Sequence, residues 1–179
     1  MILDEILPAW TVREIHETTI DTSRDVLWEA VRHLDFSASW LTRILFGLRG
    51  IDRVGLTLQD MVDSGPFRVF AEESGFELVM GLVCNTKMVP VPMETLEDFQ
   101  GYVGDGVSRM AWNFTVEERV GGLCLRTETR VQCMGPKSRR WFLPYWTLIR
   151  PFSGLIRLEM LRLAKKQAEK AGDRGRVKG

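Results

Sequence analysis

The pattern of apolar and polar positions divides the chain into an opening strand, short helices, alternating strands and a long final helix. After a lead-in that ends near Trp10, segment 11–20 (TVREIHETTI) is rich in β-branched residues and predicts a strand. Thr22 and Asp25 then resemble a capping box, which predicts the start of a helix. Apolar residues three and four apart form its expected buried stripe: Val26, Leu27, Ala30, Val31 and Leu34. A second short helix is predicted at 39–46.

From Phe67 the period of the pattern becomes two residues, which predicts antiparallel strands. The segments FRVFAEE and FELVMGLVCN are separated by Ser74 and Gly75, a hairpin signal. On the second strand one expected face consists of Phe76, Leu78, Met80 and Leu82. The proline-containing segment 87–98 predicts a long loop, and one short strand is predicted near 99–103.

The clearest hairpin consists of two strands on either side of the turn ERVGG. Buried positions are even-numbered on the first strand and odd-numbered on the second, so the numbers of directly opposed residues have an odd sum. Sums of 239 or 241 fit the turn and place Trp112 opposite Thr127 or Thr129. One face is therefore expected to be aromatic with hydroxyl groups. The other is expected to carry exposed ion pairs among Arg126, Glu128 and Arg130.

The C-terminal segment predicts one long helix with an apolar stripe. The stripe residues, spaced four and three apart, are Phe142, Trp146, Ile149, Ser153, Ile156, Met160, Leu163 and Gln167. The stripe keeps its phase across Pro151, which predicts a kink within one helix, and Pro144 is expected in the first turn. We expect a single domain over 1–171, followed by a frayed basic tail at 172–179.

Composition is consistent with one domain, because 179 residues with 45% apolar residues can bury a substantial core. The cysteines Cys84, Cys124 and Cys133 are odd in number and form no C-x-x-C motif, so reduced thiols are expected. Only His16 and His33 are present, and neither belongs to a metal-binding motif. We therefore expect no metal and no cofactor.

The N-terminus carries Asp4 and Glu5 where a signal peptide would need positive charge, and no apolar run is long enough to span a membrane. These features predict a cytoplasmic protein. Oligomeric state leaves no recognisable pattern in the sequence.

Charge is distributed unevenly along the chain. Residues up to Pro136 hold 12 Lys/Arg against 21 Asp/Glu, whereas those from Lys137 onward hold 12 against 3. One interpretation is a basic C-terminal helix that packs on an acidic body, and the other is a patch for a membrane or a nucleic acid. No nucleic-acid partner is expected, because the exposed charges of the sheet are mixed in sign. Segment 101–106 (GYVGDG) predicts a turn, because a phosphate-binding loop would lead into a helix.

The order of these elements predicts an α+β helix-grip fold, in which a curved antiparallel sheet wraps around the long helix. The sequence resembles the START-like superfamily, which includes polyketide cyclases, lipid-transfer domains and the birch-pollen allergen. The resemblance covers about 10–171 and is carried by HETTIDTSRDVLWEAV at 16–31, TETRV at 127–131 and YWTLIRPFSGLIR at 145–157. It implies the helix-grip fold and a hydrophobic ligand. The glycine-rich loop of the pollen-allergen branch has no counterpart at Ser74 and Gly75.

The candidate site lies between the sheet and the final helix. Small residues Ser153 and Gly154 interrupt the stripe beside Pro151, which predicts unfilled volume opposite the aromatic face of the sheet. The expected lining residues are Met80, Trp112, Phe114, Thr127, Thr129, Tyr145, Trp146 and Ser153, with His16 included if it faces inward. Segment 87–98 is expected to act as a gate. The two threonines have a second interpretation, because threonine is a good strand former that can satisfy its hydroxyl locally.

Three functions remain open from the sequence. The first is binding of a hydrophobic small molecule, such as a lipid, a polyketide or an isoprenoid. The second is a cyclase, dehydratase or hydrolase in the same cavity, which a buried titratable group such as His16 or Tyr145 beside another polar group would favour. The third is a peripheral membrane or protein-partner module, in which the aromatic and basic segment from Arg139 would lie on anionic lipid.

Overall fold

The computed structural model describes residues 1–39 and 57–176, so the helix predicted at 39–46 lies outside the described residues apart from its first position. Within these ranges the strands are β1 (Val12–Ile20), β2 (Arg68–Glu73), β3 (Glu77–Asn85), β4 (Pro90–Val91), β5 (Val107–Arg119) and β6 (Gly122–Cys133). The helices are α1 (Ile2–Ile6), α2 (Arg24–Arg32), α3 (Leu58–Asp63), α4 (Leu96–Gly101) and α5 (Pro136–Arg176), with a 3-10 turn at Phe36–Ala38.

The strands form one antiparallel sheet in the order β1-β6-β5-β3-β2, and β4 pairs with β3. Helix α5 crosses the inner face and contacts β1, β5 and β6, while α2 packs against α5. The main core lies between these layers and includes Phe114, Leu125 and Met160. A sheet folded around one long helix is the helix-grip arrangement, so the predicted α+β fold class is confirmed.

The register of the central hairpin also matches its prediction. Trp112 lies opposite Thr129, a pair whose numbers sum to 241. Thr129 in turn lies opposite Glu14 on β1. Even-numbered residues of β1, among them His16, therefore face the same side of the sheet as Trp112.

Helix α5 is continuous from Pro136 to Arg176, through both Pro144 and Pro151. The prediction of one helix across Pro151 is confirmed. The placement of Pro144 in the first turn is wrong, because Pro136 occupies that position eight residues earlier. The helix also extends beyond Ala171, where regular structure was expected to end. Most predicted stripe residues are buried, and Ile149 and Gln167 are half-buried.

The start of α2 differs from its prediction. Its N-cap is Ser23, and no side chain caps the helix. A capping box needs an acceptor three residues after the N-cap, and Val26 stands there, so the box predicted for Thr22 and Asp25 is wrong. Trp28 is buried together with most of the predicted stripe, whereas Val26 is half-buried.

The outer face of the sheet is not a ladder of exposed charges. The lead-in forms α1, and Leu3 and Ile6 of this helix, with Leu7 directly after it, pack with Val79, Val83 and Ala111 in a second apolar cluster, the outer cluster. Glu128 and Arg130 are almost completely buried under this cover. Arg130 donates to the carbonyl oxygen of Leu7 over 3.0 Å, so the buried charge also anchors α1.

Segment 99–103 was predicted to be a strand, and this prediction is wrong. Thr95 and Asp98 form a capping box that starts α4, which places Phe99 in a helix and buries it in the outer cluster. The short strand of this region is instead β4, within the segment predicted to be a long loop.

All three cysteines are free thiols in the structure, as predicted. Among the described helices, none combines the length and the apolar character needed to cross a membrane.

Candidate functional site

A cavity of about 520 Å³ lies between the inner face of the sheet and the N-terminal half of α5. Its size and its largely apolar and aromatic wall are typical of small-molecule sites. The lining residues are Pro66, Phe67, Leu82, Cys84, Lys87, Met88, Pro90, Met110, Ala111, Trp112, Thr129, Tyr145, Trp146, Ile149, Ser153 and Arg157.

The structure brings together five of the nine predicted site residues: Trp112, Thr129, Tyr145, Trp146 and Ser153. The others lie elsewhere on the inner face. Met80 and Phe114 are fully buried in the main core. The hydroxyl of Thr127 donates to the carbonyl oxygen of Asn113 over 2.8 Å, which satisfies it within the sheet.

His16 faces inward but is not part of the cavity wall. Its Nε2 lies 4.0 Å from Oε1 of Glu14. A Cβ atom built on Gly154 would lie 3.6 Å from the His16 ring, so the helix passes within ordinary contact distance of β1 at this residue. Ser153 and Gly154 therefore have different surroundings, since Ser153 faces the cavity and Gly154 faces the strand.

Burial lowers the pKa of His16, and the nearby positive charge of Arg157 lowers it further. The carboxylate of Glu14 acts in the opposite direction without reversing the shift. The imidazole is therefore neutral near pH 7.

Arg157 is the main cavity residue that the sequence analysis did not include. It lies four residues after Ser153, so helical spacing places both on one side of α5 and could have identified it. Its guanidinium carbon is 3.5 Å from the centroid of the Trp112 ring. Phe67 stacks on the same indole, with centroids 5.4 Å apart. Phe67 had no comparable signal, because it reaches the site from the residue before β2.

The rim beside β3 and β4 comes from Lys87, Met88 and Pro90, which belong to the segment predicted to act as a gate. Met88 adopts a left-handed backbone conformation with φ of 60°. Burial raises the pKa of the neighbouring Cys84 thiol to about 12. Cys84 therefore contributes a neutral, largely apolar surface to the wall.

Within the described residues, no three histidine, cysteine, aspartate or glutamate side chains converge in a way that could hold a metal ion. The polar groups on the cavity wall are hydroxyl, indole, ammonium and guanidinium groups, carried by residues such as Ser153, Trp112, Lys87 and Arg157. This set can orient a ligand by hydrogen bonds and positive charge.

No protein-family model matches the sequence, and no curated protein matches it. Solved structures do match. Protein MLL2253 from Mesorhizobium loti is 15% identical, with 89% of this chain and 98% of that chain covered and a TM-score of 0.40. CalU16 from Micromonospora echinospora is 17% identical, with 88% and 84% covered and a TM-score of 0.31.

The Zhui aromatase/cyclase from Streptomyces sp. R1128 is 12% identical, with 89% of this chain and 94% of that chain covered and a TM-score of 0.31. The helix-grip fold itself is established by the strand order and by the position of α5. At such low similarity, function has to be inferred from the residues of this chain.

Proposed function

We propose that the protein binds a predominantly apolar small molecule, of the lipid, polyketide or isoprenoid class, in the cavity between the sheet and α5. The observation that carries this proposal is the cavity of about 520 Å³, walled by Trp112, Tyr145 and Trp146. A concave space of this size with a mainly apolar and aromatic wall and a few polar groups is the usual character of a small-molecule site.

The sizes and the burial of the stripe residues on α5 support a binding site at this position. Ser153 is small, and Ile149 is only half-buried although it lies on the sheet side of α5. Farther along the helix, Ile156, Met160 and Leu163 fill the space against the sheet. The gap is thus confined to the N-terminal half of the helix, where the 87–90 rim gives a ligand its entrance.

Native mass spectrometry of gently purified protein tests the proposal. We expect an added mass that organic extraction removes, and stabilisation of the stripped protein by members of a lipid and aromatic library. A protein that is persistently ligand-free, and that no library member stabilises, would contradict the proposal.

A matched pair of tryptophan substitutions locates the binding. Ile149→Trp adds a large side chain to the cavity wall, whereas Leu148→Trp adds it one residue away, at a position that is 74% exposed. We expect I149W to lose at least tenfold in affinity for any library ligand and L148W to bind like the wild type. Equal binding by both variants would place the ligand outside the cavity.

The enzyme alternative gains less support. Among the described residues, no carboxylate and no imidazole forms part of the cavity wall, and His16 lies behind Gly154. Tyr145 is the titratable side chain of the wall that the sequence analysis had named for this role. We therefore propose binding rather than a reaction.

A second candidate function, docking on an anionic membrane, is favoured by the outer face of α5. We define this face by its exposed apolar residues Trp141, Leu148, Phe152, Leu155 and Leu158. Arg139, Arg140 and Arg162 are exposed on the same helix. Apolar and aromatic side chains combined with arginines are typical of helices that lie in a lipid headgroup region.

Flotation with vesicles tests this second function. We expect binding to phosphatidylcholine vesicles that contain phosphatidylserine, weaker binding at high salt, and loss of binding in a Leu148→Glu, Leu155→Glu variant. Neither position lines the cavity, so small-molecule binding is expected to persist in this variant. Failure of the wild-type protein to float at low salt would exclude the membrane function.

A further inference from the structure

Three neighbouring positions on the inner face of the sheet carry buried polar atoms without a hydrogen-bond partner. The register pairs Glu14 on β1 with Thr129 on β6, and Thr129 with Trp112 on β5. The atoms are Oε2 of Glu14, Oγ1 of Thr129 and Nε1 of Trp112. We call these three residues the polar row.

In the next row His16 Nε2 is also without a hydrogen-bond partner, whereas the threonine hydroxyl is satisfied within the sheet. Thr127 lies two residues from Thr129 on the same face of β6 and donates its hydroxyl to a carbonyl oxygen of β5. Thr129 makes no such bond. Buried polar side chains are normally paired, and an unpaired one indicates a missing water, ion or ligand.

Two residues of the polar row belong to the cavity wall, with their polar atoms just beneath its surface. Trp112 and Thr129 both line it, and they are only 4% and 6% exposed. The indole N–H can only donate a hydrogen bond, and the threonine hydroxyl can donate as well as accept. Arg157 adds positive charge against the indole ring. This part of the wall is therefore suited to an oxygen atom that accepts hydrogen bonds.

We propose that the ligand carries an acceptor oxygen, a ketone carbonyl or a carboxylate, which accepts hydrogen bonds from Trp112 Nε1 and Thr129 Oγ1 while its apolar body fills the rest of the cavity. This inference rests on the proposed binding function. It adds the polarity and the orientation of the ligand. Glu14 ends the row on β1, outside the cavity wall, where its Oε1 contacts Arg150 Nε at 3.4 Å.

Three probes of nearly equal size test the inference: 2-acetylnaphthalene, 2-naphthoate and 2-isopropenylnaphthalene. The first two place an acceptor oxygen where the third has a methylene group. We expect the wild-type protein to bind at least one oxygen-bearing probe about tenfold more tightly than the hydrocarbon. The comparison of ketone with carboxylate then shows which acceptor the site prefers.

Variants assign the preference to the polar row. Thr129→Val removes the hydroxyl at constant shape, and Trp112→Phe removes the indole N–H, so each is expected to reduce the preference severalfold. The control is Thr115→Val, which removes another buried, unpartnered hydroxyl from the opposite face of the sheet. This control is expected to keep the full preference.

The outcomes separate the inference from the binding function. If all three probes bind equally to the wild-type protein, the inference is wrong and cavity binding stands. If an oxygen preference exists but T129V and W112F both retain it, the polar row is not its source and the inference is also wrong. If no probe binds, while I149W and the wild type respond alike to the whole library, the binding function itself fails.

Discussion

Glu128 is a buried carboxylate that three arginines hold. Arg13 Nε and Arg130 Nε each donate to Oε1 over 2.6 Å, and Arg126 Nη2 donates to Oε2 over 2.7 Å. Burial acts to raise the pKa of Glu128, but these hydrogen bonds outweigh it and lower the pKa to about 2.

The lowered pKa of Glu128 predicts an acid-sensitive contribution to stability. It is fully present above the ordinary pKa of 4.5 and is lost as pH falls towards about 2. Glu128→Gln is expected to cost about 3–5 kcal/mol at neutral pH, because it removes the carboxylate that pairs with the buried Arg130. Urea unfolding measures the difference in unfolding free energy between the variant and the wild type, and this difference should be smaller at about pH 3. Glu117→Gln, at an exposed ion pair, serves as the control, and equal effects of the two variants would contradict the account.

His16 predicts a second pH dependence, at higher pH. The pKa of His16 is lowered in the folded protein, so the folded state binds the proton less well than the unfolded state. The contribution of the neutral imidazole to stability is therefore fully present above the ordinary pKa of 6.5 and is lost as pH falls below that value. We expect the melting temperature of His16→Gln to fall less than that of the wild type between about pH 7.5 and 5.5. His33→Gln, at an exposed residue, should follow the wild type. A wild-type pH response in H16Q would show that the imidazole is not the group responsible.

At the scale of elements, α1 determines whether the outer face of the sheet is buried. Glu77 accepts hydrogen bonds from the backbone N–H groups of Ile2, over 2.6 Å, and Leu3, over 3.2 Å. Asn113 Nδ2 donates to the same carboxylate over 2.6 Å. Hydrogen bonds to Glu77 and contacts in the apolar cluster therefore both hold α1 against the sheet.

Removal of one apolar contact of α1 should weaken the whole molecule. Leu3 is fully buried, so Leu3→Ala is expected to cost about 2–5 kcal/mol of unfolding free energy. Leu158→Ala, at a half-exposed position of α5, is the control and should change stability by less than about 0.5 kcal/mol. Chemical denaturation provides both values. A negligible effect of L3A would mean that α1 is not required to cover the sheet.

Gly154 and Gly81 differ in the space that an added Cβ atom would have. A Cβ atom on Gly154 would meet its nearest neighbours at 3.6–3.7 Å, which is ordinary contact, so Gly154→Ala should stabilise α5 by about 0.5–1 kcal/mol. On Gly81 the same atom would collide with the backbone oxygen of Met110, so Gly81→Ala should be destabilising. Thermal denaturation shows whether each variant is more or less stable than the wild type. A loss of stability in G154A would show that the helix cannot accommodate a methyl group beside His16.

The strands and the long helix could be predicted because one periodic pattern dominates each of them. Alternation and the turn limited the partner of Trp112 to Thr127 or Thr129, and the structure shows Thr129. Segment 99–103 was misassigned because its helix depends on the short-range cap by Thr95 and Asp98 rather than on a long apolar stripe. The burial of Arg130 was missed because α1, too short to show a stripe, covers it from a distant part of the sequence.

At the scale of the whole molecule, the site was predictable where it belongs to periodic elements. Trp112, Thr129, Trp146 and Ser153 face the cavity because strand alternation and helical spacing point them there. Met80 and Phe114 share that face, but the C-terminal half of α5 and α2 close the core over them. The small residue Ser153 indicated the position of the gap, but the extent of the gap depends on packing between distant elements.

The proposed site between the sheet and α5 takes a small molecule with its acceptor oxygen at Trp112 and Thr129. A crystal structure of the protein with the tightest-binding oxygen-bearing probe tests it most directly. We predict electron density for the probe between Trp112, Tyr145 and Ser153, with the oxygen within hydrogen-bond distance of Trp112 Nε1 or Thr129 Oγ1. A saturated complex with an empty cavity and the probe bound elsewhere, for example on the outer face of α5, would contradict it.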